Sequence, residues 1–157
     1  MSVPSPSNAN STLYQVPGTI SHSAKIHHVR LVSHRMSAGF PSPAADYAEE
    51  GLDLNDYLVR NKPASFMFTV KGDSMMNAGI VEGDKVIVDR SIHGKNKDIV
   101  VAVVNGEYTI KRLYKAANKI ELRPENPAYQ PIVFKEGSEL EIWGVVVGVV
   151  RRYGNQG

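Results

Sequence analysis

Two residues of this chain, Ser74 and Lys111, combine a reactive side chain with a favourable local setting. Ser74 lies in the turn Gly72-Asp73-Ser74-Met75, directly after a predicted strand. Gly72 permits unusual backbone angles, and the amides of Ser74 and Met75 are candidate hydrogen-bond donors to an oxyanion. Such a turn suits a nucleophilic hydroxyl. A polar loop that caps the next helical turn fits the same residues, and these residues alone favour that simpler interpretation.

A serine nucleophile needs a base, and the histidines of this chain are badly placed to supply one. Four of the five lie within the first 34 residues, and His93 lies in a predicted loop beside Gly94. A Ser-His-Asp triad is therefore not expected. A lysine can act instead when apolar neighbours lower its pKa. Lys111 alternates with Thr109 and Leu113 on one side of a predicted strand, although the pattern alone favours a lysine on a solvated face.

Composition and length predict one hydrophobic core with a tail. The chain has 157 residues, of which 42% are hydrophobic and 22% are charged, as is usual for soluble globular proteins. No apolar run approaches the roughly 18 residues that span a membrane. The first residues lack the features of a secretory signal, and cysteine is absent. We therefore expect a cytoplasmic protein with no membrane association.

The basic charge is concentrated in the first 38 residues. The net charge is +2, and this N-terminal segment carries Lys25, Arg30 and Arg35 without any Asp or Glu. That charge is too small to predict nucleic-acid binding. Four histidines also lie in the segment, namely His22, His27, His28 and His34. Their spacing matches no standard ligand pattern, so neither a metal nor a cofactor is predicted.

The N-terminal third is predicted to contain little regular structure. Residues 1 to 24 are rich in Ser, Asn, Pro and Gly and predict a flexible arm. Residues 26 to 36 permit either a loose strand or no regular element. A short helix is predicted over residues 44 to 50, ended by Gly51, and Asp53 is predicted to cap a further turn or two through Leu58.

After Pro63 the chain is predicted to be mainly β. Apolar β-branched and aromatic runs alternate with Gly, Asn and Pro. The predicted strands cover residues 66–70, 85–89, 98–104, 107–114, 119–122, 131–134 and 140–153. Asn105-Gly106 is a favoured pair for a two-residue hairpin, so the strands on either side of it should pair antiparallel.

Four sequence blocks in a fixed order carry a resemblance to a known family. They are AGFPSPAADY at 38–47, VKGDSMMNAGIVEGDKVIVDRS at 70–91, DIVVAVVNGEYTIKRL at 98–113 and WGVVVGVV at 143–150. From about residue 38 to 153 the chain resembles the LexA/UmuD family of self-cleaving serine peptidases, and in particular its UmuD-like branch. The resemblance implies a C-terminal peptidase fold of twisted antiparallel sheets, with a short N-terminal helix and a flexible arm.

The resemblance also implies roles for individual residues. Ser74 would be the nucleophile, Lys111 the neutral general base and Ala38–Gly39 the cleaved bond. Two such small residues suit an arm that lies extended across the active site. The other implied residues are Gly72, Asp73 and Met75 as oxyanion or positioning groups, with Val32 and Met36 as apolar anchors of the arm.

The family's biology implies partners and a domain division. Cleavage would remove residues 1–38 and leave residues 39–157 as the peptidase domain. A RecA filament on single-stranded DNA would stimulate it, in the SOS response to DNA damage. The product would join a UmuC-like error-prone polymerase in translesion synthesis, and the protein would form homodimers.

Other functions remain open on the sequence alone. The residues before the bond are too few and too irregular for a helix-turn-helix, so sequence-specific DNA binding is not expected. The alternatives are a fragment of a LexA-type repressor, a peptidase acting on other proteins as the related signal peptidases do, and a non-catalytic β module that binds protein.

Overall fold

The computed structural model describes residues 28–32, 35–41, 43–44, 49–134 and 139–154. The predictions for residues 1–27, for His34 and for residues 45–48 of the predicted helix lie outside the described residues. Within the described part of the chain, no helix is long and apolar enough to cross a membrane.

The structure confirms a mainly β protein. Its strands are β1 His28–Val32, β2 Glu49–Asp53, β3 Ser65–Thr69, β4 Lys85–Asp89, β5 Ile99–Val104, β6 Glu107–Ala116, β7 Lys119–Arg123, β8 Ile132–Phe134 and β9 Leu140–Val150. The α-helix α1 spans Leu54–Leu58, and 3-10 turns span Lys62–Ala64 and Met76–Ala78. The seven strands predicted after Pro63 are all present, with bounds shifted by three residues or fewer.

Seven strands form one antiparallel sheet with the order β3-β4-β9-β5-β6-β7-β8, and β1 pairs with β2 in a separate two-stranded sheet. The central strand β5 is buried on both faces, because Val101 belongs to one core cluster and Val100 and Ala102 belong to another. Side chains alternate between the faces of a strand. Two-sided burial therefore explains why β5 is an unbroken apolar run.

The β5–β6 hairpin forms at Asn105-Gly106 as predicted. Both residues have positive φ, 50° and 80°, which glycine and asparagine tolerate best. The two strands pair from Ile99 opposite Arg112 to Val104 opposite Glu107. This register places Lys111 opposite Val100, which is completely buried.

The prediction of a helix over residues 44–50 is wrong at its C-terminal end. Glu49 and Glu50 belong to β2, and Gly51 lies within that strand opposite Arg30 of β1. Pairing with β1 supplies the backbone hydrogen bonds that the helix would have made, so tertiary context overrides a weak helical preference. The short helix of the N-terminal region is instead α1, where Asp53 caps the amides of Asn55 and Asp56 as predicted.

An ion pair between a partly exposed arginine and a buried aspartate joins the end of β9 to the loop before β4. Arg151 donates from Nε to Asp84 Oδ1 and from Nη2 to Asp84 Oδ2, both at 2.6 Å, and from Nη2 to the Gly79 carbonyl at 2.7 Å. Asp84 is almost fully buried and also accepts the Val81 amide. The hydrogen bonds from Arg151 are the main reason that the pKa of Asp84 lies below its ordinary value.

Substitution of Arg151→Ala should lower the free energy of unfolding by roughly 2–4 kcal/mol, because it leaves the Asp84 charge buried without its partner. Because the pKa of Asp84 is lower in the folded state than in the unfolded state, ionised Asp84 stabilises the fold at pH values above its unfolded-state pKa. This stabilisation is lost as the pH falls through the folded-state pKa. The loss measured by urea unfolding should therefore be largest near neutral pH and should shrink below about pH 4. Arg152→Ala, at an exposed neighbour, should change the stability little, and equal losses in both variants would contradict the prediction.

Candidate active site

Ser74 and Lys111 meet in an open cleft of about 230 Å³ between the end of β3 and the first half of β6. The residues that line it are Phe68, Thr69, Val70, Lys71, Ser74, Val86, Val101, Tyr108, Thr109, Ile110 and Lys111. No carboxylate is among these described residues. Apart from a second cation, Lys71, the lining is apolar or carries hydroxyl groups, so Lys111 has no opposite charge beside it.

The Lys111 amine has three hydrogen-bond partners. Nζ lies 3.0 Å from Ser74 Oγ, 2.9 Å from Thr109 Oγ1 and 2.9 Å from the Ile110 carbonyl oxygen. The residue is only 8% exposed. The strand alternation that predicted Thr109 and Lys111 on one side of β6 is consistent with this contact.

These partners suit a neutral amine. A neutral Nζ has two N–H donors and one lone pair, so it can donate to Thr109 Oγ1 and to the Ile110 carbonyl while it accepts the Ser74 hydroxyl proton. Burial lowers the pKa of Lys111 below the ordinary lysine value, because desolvation disfavours the ammonium form. The direction of the pKa shift favours the form of lysine that can act as a base, and the geometry is compatible with that form.

The turn that presents Ser74 is shaped by its flanking residues. Gly72 has a φ of 81°, a backbone conformation that most side chains would strain. Met75 is 1% exposed and packs in the core. Its carbonyl accepts the Ala78 amide at 3.0 Å. Ser74 is thus held on a rigid turn between a left-handed glycine and a buried methionine.

The other predicted oxyanion or positioning residues lie in this same turn. The Asp73 side chain accepts a hydrogen bond from the Tyr129 hydroxyl at 2.6 Å, and Asp73 is not among the residues that line the cleft. The amides of Ser74 and Met75 donate to no acceptor within the described part of the chain. An oxyanion site requires such uncommitted donors, and Ser74 is the one of the two residues that lines the cleft.

The predicted cleavage bond is not in the cleft. Ala38 and Gly39 are exposed, and no residue of 35–41 lines the cleft. Met36 is 92% exposed and Val32 is 43% exposed, so neither makes the predicted anchoring contact in this arrangement. The structure brings Ser74 and Lys111 together but leaves Ala38–Gly39 apart from them.

Sequence reasoning missed the loop of residues 124–129, which we call the support loop. Its members Glu125, Asn126 and Tyr129 all hydrogen-bond to residues 73–77. The only local signal was a polar pair between two prolines, Pro124 and Pro127, and nothing in it indicates the distant nucleophile turn as a partner.

A serine hydroxyl beside a buried lysine, on a mainly β scaffold, defines the class of serine peptidases that use a lysine in place of histidine. Comparison with protein families is consistent with this class. The family described as Peptidase S24-like matches residues 30–147. The chain therefore belongs to the peptidase S24 family, and it is a serine peptidase of the self-cleaving LexA/UmuD type.

Individual relatives are similar over most of the described chain. Protein SamA of Salmonella typhimurium is 46% identical over 122 residues, which are 78% of this chain and 84% of SamA. Protein ImpA of Escherichia coli is 41% identical over 130 residues, 78% of this chain and 83% of ImpA. LexA repressor 1 of Geobacter sulfurreducens is 45% identical over 115 residues, 73% of this chain but only 56% of the repressor.

Lys111 should titrate below the ordinary lysine value, since burial disfavours its charged form. Carbon-13 labelling of lysine side chains, followed by NMR over an alkaline pH series in the Ser74→Ala chain, measures its titration midpoint, and the signal lost in Lys111→Met assigns it. A lysine in a short unstructured peptide serves as the reference. A Lys111 midpoint equal to that of the peptide would contradict a neutral-amine site.

Proposed function

We propose that this protein cuts its own chain between Ala38 and Gly39, with Ser74 as nucleophile and Lys111 as general base. The observation that carries the proposal is the 3.0 Å separation of Lys111 Nζ from Ser74 Oγ in a cleft whose described lining has no carboxylate. Proximity of nucleophile and base is the first requirement of this chemistry, and a base with a pKa near the working pH is the second.

The reaction follows from these positions. Lys111 Nζ takes the Ser74 hydroxyl proton while Oγ bonds to the Ala38 carbonyl carbon, and a tetrahedral oxyanion forms. Its collapse breaks the bond between carbon and nitrogen, and Lys111 returns the proton to the Gly39 nitrogen. Water then attacks the Ser74 ester and loses a proton to Lys111. The bond between the Ala38 carbonyl carbon and Ser74 Oγ breaks, Lys111 returns the proton to Oγ, and the segment that ends at Ala38 is released.

The exposed arm indicates how cleavage would be controlled. In the described arrangement Ala38 and Gly39 are exposed and do not line the cleft, so the proposed attack by Ser74 requires that they first enter it. Because Ala38 has a small side chain and Gly39 has none, neither residue obstructs the approach of the Ser74 hydroxyl to the bond between them. A partner that binds the cleavable pose more tightly than the resting pose would raise the rate by that difference in affinity.

The proposed biological role follows the family. A RecA filament on single-stranded DNA is the proposed stimulating partner, and residues 39–157 are the proposed product, an accessory subunit of an error-prone UmuC-like polymerase in translesion synthesis. A homodimer is proposed as the assembled form. Exposed apolar side chains on β9, at Val147 and Val149, support a surface that a second copy covers. The relatives SamA and ImpA, covered over more than four fifths of their length, support the short-chain branch over a repressor fragment.

Incubation of the purified chain at alkaline pH should produce a new species that begins at Gly39, detected by intact mass spectrometry. The rate should rise with pH, because the reactive form of Lys111 is the deprotonated one. Ser74→Ala and Lys111→Ala should each reduce cleavage by a factor of at least about 10³.

Ser91→Ala and Lys115→Ala are the matched controls, and both should cleave at the parental rate. Both residues are exposed, and Lys115 lies on the same strand as Lys111. Cleavage at another bond would overturn the assignment of Ala38–Gly39. An unchanged mass under every condition would favour the non-catalytic binding module.

Addition of RecA, ATP and single-stranded DNA should raise the self-cleavage rate at neutral pH by tenfold or more if the cleavable pose is populated at about 10% or less. The measurement is the initial rate of Gly39-terminated product, with the filament omitted in one arm and Ser74→Ala used in another. Equal rates with and without the filament would reject RecA stimulation while leaving self-cleavage intact.

A further inference from the structure

The support loop contacts the nucleophile turn through its main chain and side chains together. The Glu125 amide donates to the Ser74 carbonyl at 2.8 Å, and the Glu125 carbonyl accepts the Asn77 amide at 2.8 Å. Asn126 donates from Nδ2 to the Asp73 carbonyl at 3.0 Å. Two consecutive carbonyls of the turn, those of Asp73 and Ser74, are therefore bound from the same side.

Binding these carbonyls fixes the direction of two N–H groups. In a trans peptide group the C=O and the N–H point in opposite directions, and the described residues contain no cis peptide bond. The Ser74 and Met75 N–H groups therefore point away from the support loop. No residue of that loop lines the cleft, whereas Ser74 does. The Ser74 N–H thus points toward the cleft side, and neither N–H group has an acceptor among the described residues.

Asn126 is suited to hold the Asp73 carbonyl rigidly. It is 8% exposed, and its Oδ1 accepts the Ala128 amide at 3.0 Å while its Nδ2 binds Asp73. The following Pro127 restricts the Asn126 backbone to extended conformations. A buried side-chain amide whose donor and acceptor are both hydrogen-bonded carries little free-energy penalty for burial. Its fixed hydrogen bonds also restrict the positions that the turn can adopt.

The same loop is also tied to the strand that carries the base. Glu125 forms an ion pair with Arg112, the residue next to Lys111 on β6. Motion of the support loop would therefore disturb the nucleophile turn and the base strand together. The support loop therefore contacts both the turn that carries Ser74 and the strand that carries Lys111.

We propose that Asn126 is a positioning residue for self-cleavage, which keeps the Ser74 N–H directed at the oxyanion by holding the Asp73 carbonyl. The inference rests on the proposed function, since it concerns the same reaction. Asn126 touches neither Lys111 nor the Ser74 hydroxyl in the structure. Its loss should therefore lower stabilisation of the oxyanion without changing activation of the nucleophile.

Two readouts separate these effects. The first is the self-cleavage rate of the full chain as a function of alkaline pH, measured for Asn126→Asp and Asn126→Ala. The aspartate variant keeps the size and the acceptor for Ala128 but loses the donor to Asp73. The expected result is a self-cleavage rate at the alkaline plateau that is tenfold or more below that of the parent. The midpoint of the pH–rate curve should be the same in Asn126→Ala as in the parent. Loss of a complete oxyanion donor costs about 10²–10³ in rate, and the remaining bond from the Met76 amide to Asp73 should limit the effect.

The second readout replaces the nucleophile. Ser74→Cys places a single thiol in a chain that has no cysteine, so intact mass reports its alkylation alone. Iodoacetamide reacts by displacement of iodide at a saturated carbon and needs no oxyanion stabilisation. The alkylation rate of Ser74→Cys should therefore change by less than about twofold when Asn126→Ala is added.

Asn118→Ala, in the exposed turn between β6 and β7, is the matched asparagine control and should match the parent in both readouts. Thermal unfolding midpoints show whether each variant is folded at the assay temperature. A cleavage plateau within twofold of the parent in both folded Asn126 variants overturns the proposal, as does a parallel fall of cleavage and alkylation. If the parent itself does not cleave, the proposed function fails and this inference fails with it.

Discussion

The desolvation of one lysine is the constraint on which the site depends. Lys111 is 8% exposed, and the described cleft lining offers it no carboxylate. An ammonium group in this position would lose hydration without gaining an ion pair, so its pKa falls. The neutral amine is instead satisfied by Thr109, Ile110 and Ser74. The same burial that would destabilise a charge therefore favours the neutral amine that the proposed general base requires.

The rest of the β body serves to bring a serine to that amine. Lys111 lies on β6, next to the central strand of the seven-stranded sheet, and Ser74 lies in the turn that follows the edge strand β3. The two side chains meet at hydrogen-bonding distance. The Ser74 turn makes contacts with several other segments of the chain. Met75 anchors the turn in the core, the support loop binds its carbonyls, and the Arg151–Asp84 ion pair secures the chain beyond it.

The structure holds Ser74 and Lys111 in contact but leaves Ala38–Gly39 outside the cleft. Nucleophile and base are already within hydrogen-bonding distance, so the chemistry requires little rearrangement of the body. For the proposed cleavage, Ala38 and Gly39 would have to enter the cleft, because neither lines it in the described arrangement. Under that proposal, a binding partner could raise the rate by increasing the population of the cleavable pose, without any change in the chemical groups.

The sequence by itself determined the strands after Pro63, the hairpin at Asn105-Gly106 and the helix cap at Asp53, because each depends on neighbouring residues. It also supplied Ser74 and Lys111 as candidates, although the residues alone favoured a polar loop and a lysine on a solvated strand face. Only the tertiary structure decided that these two meet, that residues 49–53 form a strand, and that Asn126 holds the nucleophile turn. Those outcomes depend on contacts between segments far apart in the chain, and local patterns carry no information about which distant segment will be the partner.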